Sequence, residues 1–371
     1  MKILITGSKG FIGKNLVTEL LNRKVGEIFE FDKGNSLGEL ETFVSACDFV
    51  FHLAGVNRPQ IDNEFVYGNV DLTNTLCSFL KKHNSRAPVI FSSSVQSTLD
   101  NDYGRSKLAA ENILISYSVE TGIPVTVYRL PNVFGKWCRP SYNSVIATFC
   151  HNIAHDQPIR INDPDTQLYQ VYIDDVVNEF ISKSETIVNN TGAELITEIN
   201  PVYPVTLGNV ASLIRSFREN RIKLEVPDLS DPFTKKLYAT YLSYLPEKEF
   251  GYPLKMKVDN RGSFTEFIRT NNRGQVSVNI SKPGIVKGNH WHHTKNEKFL
   301  VVSGTGVIRF RRIGTSEVIE YHVGGEKMEV VDIPTGYTHN IENLGTTDMV
   351  TIMWASEAFD QAKPDTWFEV V

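Results

Sequence analysis

A doubly wound α/β parallel sheet followed by an all-β barrel is the fold class that this 371-residue sequence predicts. Three observations predict it. In the first half, short apolar runs alternate with stretches of helical periodicity. A glycine-rich turn, Gly7-Ser8-Lys9-Gly10-Phe11-Ile12-Gly13, joins the first apolar run to the first helical one. From Met256 onward, short strands separated by Gly, Pro and Asn follow one another with few helical segments between them. This change of rhythm implies two domains, residues 1–245 and 246–371.

The runs KILIT, EIFEF, FVFHLAG, VIFSSS and VTVYRL read as buried strands of a parallel sheet. Between them, FIGKNLVTELLNR, NVDLTNTLCSFLKKH and YGRSKLAAENILISYSVETG carry apolar residues at helical spacing. Two further helices are expected over YQVYIDDVVNEFISKS and TLGNVASLIRSFREN, and the Tyr-rich LYATYLSYLPEKEFGYP reads as a connector. The second domain is read from GSFTEFIRT, GQVSVNIS, KFLVVSG, GVIRFRRIG, EVIEYHVGG, MEVVDIP and MVTIMWA, all strand-like.

With 41% hydrophobic and 22% charged residues, the chain can bury real cores. A net charge of −5 gives no basic excess, so no nucleic-acid partner is expected. The opening run MKILITG is too short for a signal peptide, and no stretch approaches the roughly 20 apolar residues of a membrane span. No membrane partner is expected. Cys47, Cys77, Cys138 and Cys150 lack metal-like spacing and read as reduced, mostly buried thiols of a cytoplasmic protein.

The glycine turn is suited to a dinucleotide. Gly7 allows the tight turn, Gly10 lets backbone approach a pyrophosphate, and Gly13 lets the helix pack close to the sheet. Asp32, at the end of the second strand, suits a ribose hydroxyl and hence NAD, whereas Lys33 beside it suits a 2′-phosphate and hence NADP. Tyr103 and Lys107 sit four residues apart at a helix start, on one face. The lysine charge would favour ionisation of the phenol, and such a tyrosine can protonate the alkoxide formed when hydride reaches a ketone. A serine at the end of VIFSSS can hydrogen-bond the carbonyl; Ser92, Ser93 and Ser94 are the candidates, with Ser94 preferred.

Together these residues resemble the extended short-chain dehydrogenase/reductase family, whose members act largely on nucleotide sugars. The matching pieces are GSKGFIG, HLAG, GNVDLTNTL, SSS, YGRSK, RLPNVFG and VYIDDVV, in the family's order over roughly the first 200 residues. The resemblance implies a Rossmann-type sheet, with Ser94, Tyr103 and Lys107 as catalytic residues and Asn132 as a substrate contact. It also implies cofactor contacts at Gly7, Gly10, Phe11, Ile12, Gly13, Asp32, Lys33, Leu53, Ala54, Gly55, Asn69 and Lys107. In one respect the sequence departs from the family: Ser94 and Tyr103 are closer together than is usual there, which shortens an active-site loop.

The second domain has its own chemistry. In GIVKGNHWHHTKNEKFLVVSG, His290 and His292 alternate on an expected strand and share a face. Glu297 follows a short polar turn, and PTGYTHNIEN supplies His339. Three imidazoles and a carboxylate can converge on one divalent metal; Zn²⁺ suits this mixture and is preferred, with Fe²⁺, Mn²⁺ and Ni²⁺ as alternatives. His293 is the spare histidine.

The two stretches resemble the first and second cupin motifs, which implies a cupin barrel with His290, His292, Glu297 and His339 at the ligand positions. DNRGSFTEF and SKPGIVKGNH are also similar to cupin epimerases of the dehydrorhamnose type, which act on 4-keto deoxysugar nucleotides. That likeness implies His290 as the base and Arg261, Glu266 and Lys287 as substrate contacts. His290 is thereby claimed as ligand and as base, and a metal-bound imidazole is a poor base.

The two-domain combination resembles the CapF-type bifunctional enzymes of bacterial capsule and O-antigen sugar synthesis. It implies C3 epimerisation of UDP-2-acetamido-2,6-dideoxy-β-L-arabino-hexos-4-ulose by the cupin domain. NADPH-dependent C4 reduction to UDP-2-acetamido-2,6-dideoxy-β-L-talose would follow, on the way to UDP-N-acetyl-L-fucosamine. NADPH, one divalent metal (Zn²⁺), a UDP-4-ketosugar substrate and a homodimer are the implied cofactors and partners. Two alternatives stand beside this reading. One is an NAD-dependent nucleotide-sugar epimerase or dehydratase with a structural or regulatory cupin; the other is a non-catalytic nucleotide-sugar-binding protein.

Overall fold

A computed structural model describes residues 1–371 apart from 60, 62, 190–194, 271–272, 359–361 and 363. The chain divides into two compact units, Met1–Arg215 with Leu229–Pro246, and Ser216–Asp228 with Glu247–Val371. Among the described residues, no helix is long and apolar enough to cross a membrane.

The first unit is built by alternation. Strands β1 (Lys2–Thr6), β2 (Glu27–Phe31), β3 (Phe49–His52), β4 (Val89–Ser94) and β5 (Val125–Leu130) are interleaved with helices α1 (Phe11–Asn22), α2 (Leu37–Ala46), α3 (Leu72–Lys82) and α4 (Asp102–Thr121). After β5 come β6 (Asn132–Phe134), α5 (Val145–Ala154), β7 (Gln167–Tyr172), α6 (Ile173–Asn189), β8 (Ile196–Thr197), β9 (Tyr203–Thr206), α7 (Leu207–Lys223) and α8 (Pro232–Leu242). The main sheet is parallel with order β2-β1-β3-β4-β5-β8. The order reverses between β1 and β3, so a crevice opens beyond their carboxyl ends, where ligands bind in such sheets. Helices cover both faces, and each face has its own apolar core: Leu4, Leu76, Val89 and Leu114 belong to one, Ile5, Leu16, Phe51 and Phe180 to the other.

Two expectations fail here. Tyr169 to Tyr172 do not begin a helix but lie in β7, which pairs with β6 and β9; the helix starts at Ile173. The Tyr-rich stretch is only partly a connector, because its first six residues complete α8. Asp231 caps that helix by accepting from Thr234 N at 2.8 Å, Pro232 sits in its first turn, and Leu237 and Tyr241 are buried. Tyrosine content misled because Tyr241 serves as core rather than as loop.

The four cysteines are buried and free, and burial pushes the thiols of Cys47 and Cys77 up to about 12.

His52, the first residue of HLAG, is a structural pin. Its Nδ1 is 2.7 Å from Thr6 Oγ1 on β1 and its Nε2 is 2.9 Å from Thr73 Oγ1 on α3. Complete burial, with Lys107 adding repulsion, pushes its pKa down to about 3. The unfolded chain would bind a proton near the ordinary value of about 6.5. Between those values the unfolded state carries more protons, so stability rises with pH and is lost as pH falls, by about 1.4 kcal/mol per pH unit. We expect the melting temperature of the first unit to fall between pH 6.5 and 4. In His52→Asn that slope should flatten, read by circular dichroism; an unchanged slope would remove His52 as its source.

The two sheets of the second unit are antiparallel. Its strands are β10 (Met256–Asp259), β11 (Gly262–Thr270), β12 (Gly274–Ser281), β13 (Val286–Trp291), β14 (Glu297–Ser303), β15 (Thr305–Arg312), β16 (Val318–Gly324), β17 (Val330–Ile333), β18 (Tyr337–Asn343), β19 (Met349–Ala355) and β20 (Trp367–Phe368). One sheet has order β10-β11-β12-β19-β14-β17 and the other β16-β15-β18-β13-β20. Phe299, Val301, Ile308, Phe310 and Ile341 pack between them.

Candidate functional site

The N-terminal crevice is shaped for a close-lying ligand. Gly7 has φ +71, and a Cβ there would sit 2.7 Å from Ala54 N. A Cβ on Gly13 would sit 2.1 Å from Gly7 O, so only glycine lets α1 approach the turn. Gly10 begins α1, and no side chain caps that helix. Phe11 and Ile12 form its first turn and pack on the core. The amides at this helix start are therefore left for an anion, which fits a dinucleotide pyrophosphate. Asp32 accepts from Lys9 N at 2.8 Å, which places its carboxylate on the rim of the turn, while Lys33 reaches Glu64 at 3.3 Å. Leu53, Ala54 and Gly55 line up after β3, and a Cβ on Gly55 would lie 3.4 Å from Lys107 Nζ. Asn69 is buried and tied to Val56 and to Ser106 Oγ, so it holds this wall in place.

Of the three serines, Ser94 is the one close enough to the Tyr103 hydroxyl to oppose the rise in its pKa. Ser93 donates to Glu111, and the Ser92 carbonyl accepts from Lys107 Nζ at 2.7 Å. Asn101 caps α4 by accepting from Gly104 N at 2.8 Å, which sets Tyr103 and Lys107 on its first two turns. Lys107 does not lower the phenol's pKa as expected. Burial raises it and Ser94 opposes the rise, while the ammonium turns away toward Ser92 and lies 4.5 Å over the Phe91 ring. Burial brings Lys107 down to about 8, with Glu111 one turn on opposing the fall. Glu111 in turn pairs with Arg129 at 2.6 Å. Asn132 stands exposed at the start of β6.

The second unit gathers the other candidates. His290 on β13 lies opposite His339 on β18, so their rings share a face, with centroids 4.6 Å apart. A bulge between Gly288 and His290 sets this register: Gly288 has φ +108 and Asn289 φ +59. His292 falls just past the end of β13, on a turn rather than on the expected strand, yet still faces inward. Glu297 opens β14 in the opposite sheet. One ligand atom from each of His290, His292, Glu297 and His339 lies within 4.8 Å of the others.

The chemistry of this set calls for a cation. His292 Nδ1 donates to the Asp365 carbonyl, which leaves the Nε2 lone pair 3.4 Å from Glu297 Oε2. His339 Nε2 lies 3.3 Å from the same oxygen. Neither contact has hydrogen-bond geometry, and all three atoms are buried without a partner. Burial works against the Glu297 charge, while Lys295, whose Nζ lies 3.4 Å from Oε1, favours it. Burial also pushes His290 down to about 4, so its imidazole is neutral at ordinary pH. Buried acceptors facing a carboxylate fit a divalent metal.

A cavity of about 420 Å³ opens onto this set, lined among others by Phe264, Arg261, Lys287, His290, Glu297 and His339. Arg261 pairs with Asp259 on its rim, and Lys287 Nζ donates to Asn279 Oδ1 and the Ile280 carbonyl, both at 2.8 Å. Glu266 does not line it; its carboxylate pairs with Arg269 three residues on, so it is not placed as a substrate contact. His293 is exposed and its ring stacks edge-on with Trp291. Sequence reasoning missed Lys295, Asn279 and Asp365. Lys295 carried a weak signal as a cation between two ligands; Asp365 carried none, lying 73 residues from the ring it holds.

Comparison with known proteins agrees with this division. Residues 3–189 match the NAD dependent epimerase/dehydratase family, and residues 257–367 match the polysaccharide biosynthesis C-terminal domain. A Pseudomonas aeruginosa protein described as UDP-2-acetamido-2,6-beta-L-arabino-hexul-4-ose reductase is 43% identical over 99% of this chain and 98% of its own length. The structure of the capsular polysaccharide assembling protein CapF from Staphylococcus aureus covers 100% of both chains at 52% identity, with a TM-score of 0.93. CapF with the inhibitor 3-isopropenyl-tropolone also covers both chains fully, at 49% identity and a TM-score of 0.88.

Proposed function

The chain belongs to the NAD dependent epimerase/dehydratase family, in its CapF-type form with a polysaccharide biosynthesis C-terminal domain, and we propose that it is a bifunctional nucleotide-sugar enzyme of capsule synthesis. It epimerises C3 of UDP-2-acetamido-2,6-dideoxy-β-L-arabino-hexos-4-ulose and then reduces C4 with NADPH, giving UDP-2-acetamido-2,6-dideoxy-β-L-talose. The observation that carries this reading is the pairing of two unlike sites on one chain. Ser94, Tyr103 and Lys107 stand beside a glycine cradle, and a buried His/Glu set opens onto its own cavity.

For reduction, a bound reduced nicotinamide supplies the hydride. Ser94 orients the ketone, and Tyr103 donates its proton to the oxygen at C4. Lys107, hydrogen-bonded to the Ser92 carbonyl, would hold the nicotinamide ribose. For epimerisation, the 4-ketone acidifies the neighbouring C3–H, and removal and return of that proton on opposite faces inverts the carbon. His290, His292, Glu297 and His339 would hold one divalent metal, which supplies positive charge against which an enolate oxygen is stabilised. As a ligand His290 has no free lone pair, so proton transfer falls to other groups. Arg261 and Lys287 bring positive charge to the cavity for an anionic substrate. The order is forced, because reduction removes the ketone that acidifies C3. A cytoplasmic location follows from a nucleotide-sugar substrate and NADPH.

The test is NADPH oxidation with a panel of UDP-4-ketosugars, with products read by mass spectrometry. Turnover confined to the arabino-configured 2-acetamido substrate and its C3 epimer supports the reading. NADPH turnover with neither would overturn it.

A further inference from the structure

We propose that Asp365 is a positioning residue for the metal centre: it clamps the turn between two ligands and fixes the ring of His292. The inference rests on the metal reading above. The Asp365 carboxylate accepts from His293 N at 2.9 Å, Thr294 N at 2.7 Å, Thr294 Oγ1 at 3.0 Å and Lys295 N at 2.9 Å. Its backbone carbonyl accepts from His292 Nδ1. One residue thus holds the whole turn from His292 to Lys295, just before Glu297, and pins the proton of His292 on Nδ1.

Both effects bear on a metal. With the proton on Nδ1, the Nε2 lone pair stays directed at Glu297; a freed ring could rotate or present an N–H there instead. The turn is polar and follows the end of β13, so no ladder holds it in place. Asp365 is itself well seated. Trp367 and Phe368 pair with Trp291 and His290 on β13, and Thr338 Oγ1 donates to the backbone carbonyl of residue 369. The clamp is thereby anchored to the strands that carry His290 and His339.

Partners of ligating histidines typically change metal affinity by roughly 10–100-fold. Zn²⁺ affinity of the full chain is measured by competition with a chromophoric chelator. Asp365→Ala keeps the carbonyl that holds His292 but removes the carboxylate clamp, and by freeing the turn it is expected to weaken Zn²⁺ binding about 10-fold, the lower end of that range, with Asp365→Asn, which keeps one acceptor oxygen, falling between. Glu369→Ala, which breaks the Arg311 pair but leaves the turn untouched, is expected to bind as the native chain does. Circular dichroism verifies folding, and where the alanine variant does not fold, the asparagine variant decides. Native affinity in Asp365→Asn and Asp365→Ala would overturn the proposal, as would an equal loss in Glu369→Ala. A native chain that binds no Zn²⁺ would instead overturn the metal reading itself.

Discussion

Replacing Tyr103 by Phe is expected to cut NADPH oxidation by about 10²–10⁴-fold, the range associated with removing a general acid, while deuterium exchange at C3 of the ketosugar stays at its native rate. The phenol is the proposed donor because it carries its proton at neutral pH and lies beside Ser94 on the first turn of α4. The ring itself packs 5.8 Å from Phe65, so Phe preserves the packing and removes only the hydroxyl. Cofactor binding should persist, since the glycine cradle and Lys107 are untouched. Measuring both rates on one folded preparation checks the division of labour. Loss of both activities together would contradict it.

Replacing His290 by Gln is expected to have the mirror-image effect. Exchange at C3 is lost, bound metal falls below one equivalent, and NADPH oxidation of the sugar already inverted at C3 is unchanged. The expectation follows from the position of His290 directly opposite His339 and its ligand atom within 4.8 Å of the other three. Metal content and exchange are read on the same sample. Exchange lost with metal fully retained would make His290 the proton acceptor rather than a ligand.

Much of this was legible in the chain, for identifiable reasons. Strands buried on both faces and helices between them leave distinct periodicities, so the alternation of the first unit and the glycine turn could be read directly. The four metal candidates were legible because two motifs carry them at fixed spacing. What could not be read depended on contacts distant in sequence. Glu266 was claimed for substrate, but its carboxylate is spent on Arg269. The pairing of Lys107 with the phenol followed from helical spacing, yet spacing cannot show that Ser92 captures the ammonium. The stretch Tyr169 to Tyr172 reads equally as helix or strand until β6 and β9 flank it. Asp365 has no local pattern, because its partners are backbone amides brought to it only by folding.

The central claim is that epimerisation precedes reduction on a single chain with two sites. The most direct measurement is a time course of the native protein with the UDP-4-ketosugar in D₂O, with and without NADPH, followed by nuclear magnetic resonance. Deuterium should enter C3 without NADPH, and with NADPH the reduced sugar should carry deuterium at C3 and the inverted configuration there. A reduced product that keeps protium and its original configuration at C3 would contradict the account.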